Sequence, residues 1–251
     1  MTQPSGILMI DATFNDGILE ICINRPESKN ALNRAMYDRL TELFDEYGDN
    51  DSCVAIILYG AGGVFTAGAD LKDFQQKREP GDSPAVRFLR SLSRAKPPVI
   101  AAVEGFAIGI GTTLLQHCDF VYATASTRCR LPFAALGLCP EGGSSLLLEQ
   151  IVGRRKARDW LMTCRFFDGQ EAHDAGYITE LTDSGKTLEK ARETAQALAK
   201  IPQNSLRATK EMLSGWHQPD LQKAFDNEVL MFAKCLATNA TQDSIKQTGK
   251  V

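Results

Sequence analysis

The sequence predicts an α/β fold with a helical C-terminal part, and three observations carry that prediction. Residues 53–60, CVAIILYG, form a short apolar run rich in β-formers, the pattern of a strand buried on both faces of a parallel sheet. Strand-like and helix-like segments alternate through the first two thirds of the chain, the order a parallel layered sheet requires. From about residue 141 onward the apolar periodicity becomes almost wholly helical.

The elements follow in order. ILMIDATFNDGILEICIN (7–24) is two apolar runs joined through Asp16 and Gly17, a hairpin signal. After Arg25 and Pro26, the residues Ala31, Leu32, Met36, Leu40, Leu43, Phe44 and Tyr47 recur at helical spacing, and Gly48 stops the helix. A glycine-rich loop, AGGVFTAGAD, follows the 53–60 strand. QQKREPGDSP (75–84) is polar with two prolines and reads as a mobile surface loop, and helical period resumes over 85–95. PPVIAAVEG (97–105) is a second strand running into glycine, a short helix leads to DFVYATA (119–125), and CRLPFAALGL leads to LCPEGGSS (138–145). Helices then cover SLLLEQIVG, ARDWLMTCRF, QEAHDAG, TLEKARETAQALAK, LRATKEML and LQKAFDNEVLMFAKCLA, with only ITEL (178–181) extended. This divides the chain into an α/β core over 1–198 and a C-terminal helical region over 199–251.

Composition excludes several classes. The 28 basic and 31 acidic residues give a net charge of −3 and form no basic stripe, so nucleic acid is not an expected partner. No run of 18 apolar residues exists and the N-terminus lacks a secretory pattern, so no membrane partner is expected. Seven cysteines without a C-x-x-C pair read as reduced core thiols of a cytoplasmic protein. No dinucleotide fingerprint, phosphate-binding loop or G-x-S-x-G elbow is present. His117, His173 and His217 have no metal-ligand spacing and read as structural or surface residues, so no metal site is expected.

Two strand-to-glycine junctions remain, FTAGAD (65–70) and FAIGIG (106–111), together with one isolated acid, Glu141. Glycine at a strand end exposes backbone N–H groups, and two such donors converging on one oxygen would form an oxyanion hole. Ordinary strand-to-helix turns would have the same glycine content. Glu141, for its part, reads on its residues alone first as an acid in the first turn of the following helix, where it would complement the helix dipole.

Taken in order, NRPESKNAL at 24–32, FTAGADLKDF at 65–74, PPVIAAVEGFAIGIG at 97–111, CDFVYATASTRCRLPFAALGL at 118–138, PEGGSS at 140–145 and GQEAHDAGYITEL at 169–181 resemble the crotonase (enoyl-CoA hydratase/isomerase) superfamily. The resemblance implies a ClpP/crotonase spiral of repeated ββα units with a C-terminal helical trimerisation region, assembled as a homotrimer or hexamer. It implies an acyl-CoA thioester substrate, with coenzyme A arriving as part of that substrate and no separate cofactor. The oxyanion donors then fall on the amides of Ala69 and Ile110. Coenzyme A is expected near Lys29, Ala31, Ala67, Asp70 and Leu71, with Lys72 a further phosphate contact.

The two acids by which hydratases of this family activate water fall here at Thr113 and Phe133, and neither exchanges a proton near neutral pH. An acid appears instead at Glu141, in a PEG pattern similar to that of the Δ3,Δ2-enoyl-CoA isomerases, in which that Glu is the base. The resemblance thus implies transfer of a proton from C2 to C4 of a 3-enoyl-CoA. Such a base needs its pKa raised toward neutral by an apolar wall, for which Phe133, Leu136, Leu138 and Ile110 are candidates, with Thr113 also in the substrate pocket; a helix N-terminus would act in the opposite direction. Two alternatives use the same fold: isomerisation of a ring-bearing or more unsaturated CoA ester, and non-catalytic acyl-CoA binding. The ending TQDSIKQTGKV is shorter than the family's usual aromatic-basic helix and is no peroxisomal address. From this a bacterial-type cytoplasmic enzyme is expected, with a neighbouring subunit closing the coenzyme A site.

Overall fold

The computed structural model describes residues 9–75, 81–215 and 218–248. Residues 76–80 of the polar loop read at 75–84, His217 and the last three residues lie outside these described residues.

The chain opens on β1 (Ile10–Asn15) and β2 (Ile18–Ile23), antiparallel about Asp16 and Gly17, whose positive φ angles of 50° and 78° match a tight hairpin turn. Helix α1 (Arg34–Tyr47) starts later than its apolar period suggests, because the Asn33 side chain accepts the Met36 N–H at 3.0 Å and caps it there. Leu32 is thereby freed to pair with Ala69 in an isolated parallel bridge. Then come β3 (Ala55–Gly60), α2 (Pro84–Ser93), β4 (Val99–Val103), β5 (Phe106–Ile108), α3 (Ile110–Thr113), β6 (Phe120–Thr124) and β7 (Arg128–Arg130). The rest comprises α4 (Ser144–Val152), α5 (Arg154–Thr163), β8 (Phe167–Asp168), α6 (Gly169–Asp174), β9 (Glu180–Thr182), α7 (Thr187–Ala199), α8 (Gln203–Gly215), α9 (Gln218–Leu236) and α10 (Asn239–Thr248).

The main sheet has the order β1-β2-β3-β4-β6-β9 and is parallel beyond its first pair. β3 is buried on both faces, as its composition predicts. Ile56 and Leu58 join the large core under α1 and α2, while Ala55 and Ile57 join a smaller core with Ala191, Ala195 and Leu198 of α7. A second sheet, β5-β7-β8, is not evident from the sequence. Its strands are two or three residues long and Phe167–Asp168 pairs antiparallel with β7, so partner geometry decides their conformation where local pattern is too short to do so. Cys164, left-handed at φ 53°, ends α5 before the predicted extent of that helix. Among the described residues no helix is long and apolar enough to cross a membrane.

Candidate active site

The two glycine junctions meet. Thr66 donates its N–H to Phe106 O at 2.9 Å and receives the Ile108 N–H at 3.2 Å, so the segment after β3 runs beside β5. Gly68 adopts φ 90°, and a Cβ there would lie 2.4 Å from Ile108 O, a separation only glycine allows. The motif residue Asn30 is buried and holds this region, donating its side-chain amide to Ala61 O and Val64 O. The Thr66 hydroxyl donates to Asn30 O at 2.7 Å and accepts the Gly68 N–H at 3.0 Å.

This pairing orients Ala69. Leu32 donates to Gly68 O and accepts the Asp70 N–H, both at 2.8 Å, so the Ala69 N–H between them points away from Leu32. Ile110 is the first residue of α3, where an N–H has no carbonyl of a preceding turn to meet. Ala69 and Ile110 both line one cavity of about 560 Å³.

Glu141 lines the same cavity. Gly142 and Gly143, which follow it, are both left-handed, at φ 74° and 75°. A Cβ on Gly142 would press on Thr113 at 3.2 Å, and one on Gly143 would meet Leu221 Cδ1 at 2.4 Å. The turn is held by side chains on every side. Ser144 Oγ donates to Glu141 O at 2.6 Å and receives Gln116 Nε2 at 2.8 Å, and His117 Nε2 lies 2.8 Å from Gly142 O. Burial pulls the His117 pKa down to about 4, so the ring is neutral and must present an N–H to that carbonyl. His117 is structural, as its sequence context suggests.

The Glu141 carboxylate accepts the Thr113 hydroxyl at 2.6 Å. Loss of water around it pushes its pKa up to about 7; the Thr113 hydrogen bond acts downward, and the charge of Glu228 adds to the rise. The opposing helix N-terminus is occupied by another acid. Glu228 of α9 accepts the Gly143 N–H on Oε2 at 2.7 Å and the Ser145 N–H on Oε1 at 2.8 Å, so Glu228, not Glu141, complements the α4 dipole.

Of the residues expected around the substrate, Ala67, Leu71, Phe133, Leu136 and Leu138 line the cavity with Ala69, Ile110 and Glu141. Thr113 does not: it is fully buried behind Glu141 and reaches the site only through that carboxylate. Lys29, Ala31, Asp70 and Lys72 are also absent from the cavity wall. Asp70 is committed to Arg25 at 2.8 Å; burial would raise its pKa, but that hydrogen bond and charge hold it below the usual carboxylate range. The Ala31 carbonyl accepts the same guanidinium, and Lys29 and Lys72 are exposed.

The sequence reading missed Tyr37, Arg34, Arg87 and Arg130, and missed the face of α9 formed by Phe225, Glu228, Val229 and Phe232. The C-terminal helical region thus supplies one wall of the site, which is not confined to residues 1–198. A signal existed: Glu228 sits at i, i+3, i+4, i+7 spacing among apolar residues, an acid placed on a helix's buried face. Among the described residues no group of three or more His, Cys, Asp or Glu is placed to hold a metal ion.

Fold and cavity together define an α/β enzyme of the crotonase type. The chain belongs to the enoyl-CoA hydratase/isomerase family, whose model matches residues 13–249. It is similar to a probable enoyl-CoA hydratase, echA8, of Mycobacterium bovis, with 30% identity over 220 residues covering 87% of this chain and 86% of that protein. It is 31% identical to enoyl-CoA delta isomerase 2 of Homo sapiens over 219 residues, 84% of this chain and 55% of that protein. The crystal structure of an enoyl-CoA hydratase/isomerase from Pseudoalteromonas atlantica T6c superposes with a TM-score of 0.92 at 36% identity, covering 97% of each chain. The family acts on acyl-CoA thioesters.

Proposed function

We propose that this chain is a Δ3,Δ2-enoyl-CoA isomerase, converting a 3-enoyl-CoA to the trans-2-enoyl-CoA. One observation carries the reading: the Glu141 carboxyl lines the cavity with its pKa raised to about 7, while Thr113 spends its hydroxyl on that carboxylate and Phe133 contributes an apolar wall. Water activation by two acids at those positions has no groups to perform it.

In this mechanism ionised Glu141 takes the C2 proton, made acidic by the thioester. Negative charge then collects on the thioester oxygen as a dienolate, and the Ala69 and Ile110 amides stabilise it where it develops, each contributing about 3 kcal/mol by analogy with other oxyanion holes. Glu141 returns the proton at C4. A carboxyl with a pKa near 7 serves as acid and base in turn. Coenzyme A enters as part of the substrate, its pantetheine end against Ala67 and Leu71. Lys29, whose carbonyl receives the Ala67 N–H at 2.9 Å, adjoins that wall with Ala31, Asp70 and Lys72, and the phosphates lie along that outer surface.

The test is wild-type protein with trans-3-enoyl-CoA in D2O. The expected product is trans-2-enoyl-CoA, carrying deuterium at C4 only to the extent that the Glu141 carboxyl exchanges with solvent before it returns the proton, with no 3-hydroxyacyl-CoA. Rapid hydration of trans-2-enoyl-CoA would overturn the reading; exchange only with ring-bearing CoA esters would move the activity to those, and binding without any C2 exchange would mark a non-catalytic acyl-CoA binder.

The assembly belongs to the same proposal. Met212 and Leu213 of α8, with Leu230 and Met231 of α9, are largely exposed on the isolated chain, and a trimer or a pair of trimers would cover them. Sedimentation equilibrium should give three or six chains of 27.5 kDa. A monomer at micromolar concentration would exclude it.

A further inference from the structure

The turn that carries Glu141 is held from a helix more than eighty residues away. Glu228 is 6% exposed, lies on the cavity wall beside Phe225, Val229 and Phe232, and receives both the Gly143 and Ser145 amides. Burying a carboxylate costs several kcal/mol unless its oxygens are satisfied, and a serine or asparagine would cap a helix without that cost. Burial raises the Glu228 pKa and its hydrogen bonds to Ser145 and Gly143 act against that rise, so an acid kept at this point calls for a use beyond capping α4.

Glu228 is met by few groups. From the 139–145 loop come the two amides, the Ser145 side chain, Glu141, and Cys139, whose Sγ lies 3.8 Å from the Glu228 carbonyl. Near them stand His117, neutral, beneath Gly142, and Cys235, which faces Cys139 from α9. From α1, Tyr37 faces Glu141. From α2, Arg90 spends its guanidinium on Asp82, Gln222 and Asp226. Among the described residues, no lysine or arginine pairs with Glu228 or Glu141.

Consecutive left-handed glycines give the backbone after Glu141 more freedom than any other pair of residues would, so its aim depends on external anchors. We propose that Glu228 is the positioning residue of this site, clamping the first turn of α4 to α9 so that Glu141 is aimed across the cavity wall both carboxylates share. The proposal rests on the proton-transfer role assigned to Glu141. A like charge this close also favours the protonated form of Glu141.

The variant E228Q tests it, through steady-state kinetics against pH and a carbon-13 NMR titration of Glu141. Gln keeps the shape, loses the charge and can accept only one of the two amides. The expected result is kcat lower by about tenfold or more with little change in KM, since small misplacements of a reacting group are costly. With it, the acidic limb of the rate profile and the Glu141 titration should move down by about half a pH unit as the like charge is removed. E228D, which keeps the charge on a shorter arm, should fall between the two with its acidic limb in place.

Wild-type kcat in E228Q, or an unmoved Glu141 titration, overturns the proposal. If E228Q does not fold, E228D decides: lowered kcat supports the clamp and wild-type kcat overturns it. If wild-type protein isomerises no 3-enoyl-CoA, the assigned reaction falls on its own, and the NMR titration of E228Q alone then supports or overturns the positioning role.

Discussion

Glu141→Gln is expected to lower kcat for 3-enoyl-CoA isomerisation by roughly 10³-fold or more while leaving acyl-CoA affinity within a few-fold, because it removes the proposed general base and keeps the shape of the cavity wall. In the wild type, kcat/KM should rise as pH passes upward through about 7, where Glu141 ionises. The same substitution should stabilise the protein at high pH. Glu141 has a folded pKa near 7 against an ordinary value of 4.5, so between those values the folded chain holds a proton that the unfolded chain has lost, and stability falls as pH rises through that window. Above it, the ionised carboxylate costs about 3 kcal/mol that the amide does not. E141Q should therefore melt several degrees above wild type at pH 8, with the difference gone by pH 4. A variant retaining more than a tenth of wild-type kcat would remove Glu141 from the mechanism; equal melting temperatures at pH 8 would show that its carboxylate is well hydrated.

Gly68→Ala should be the most damaging small substitution in the site. Its φ of 90° strains any side chain, and the new methyl would be 2.4 Å from Ile108 O, a backbone atom that cannot swing aside. Left-handed strain of about 1–2 kcal/mol and overpacking of about 1–3 kcal/mol act together, so a loss of about 2–5 kcal/mol is expected in denaturant unfolding. The activity consequence is larger than that loss suggests. Gly68 sets the distance between the segment bearing Ala69 and the strand leading to Ile110, and parting them separates the two proposed oxyanion donors, which should cost about 10²-fold in kcat in the fraction that folds. Unchanged stability and unchanged kcat would mean the junctions do not meet as described.

How much of this was legible in the sequence depended on range. Asp16-Gly17, the β3 run and the glycine junctions are local signals, because the conformations they need are set by the residues themselves. Glu141 stood out because the adjacent glycines and the residues at 113 and 133 narrow its chemistry. The late start of α1 and the two-residue strand at 167–168 were not legible, since an isolated bridge and a short antiparallel pairing exist only once their partners are in place.

The sequence by itself determined the order of elements and the backbone freedom at Gly68, Gly109, Gly142 and Gly143, and it singled out Glu141 as the acid beside the glycine turn. Tertiary structure decided what that acid is. Thr113, 28 residues away, binds it; the C-terminal α9 brings Glu228 to the helix end that would otherwise have held its pKa down; and the surrounding packing strips its water. A carboxylate's pKa is set by solvation and by charges within a few ångströms, and these are properties of neighbours in space, which one-dimensional order leaves open until the chain has folded.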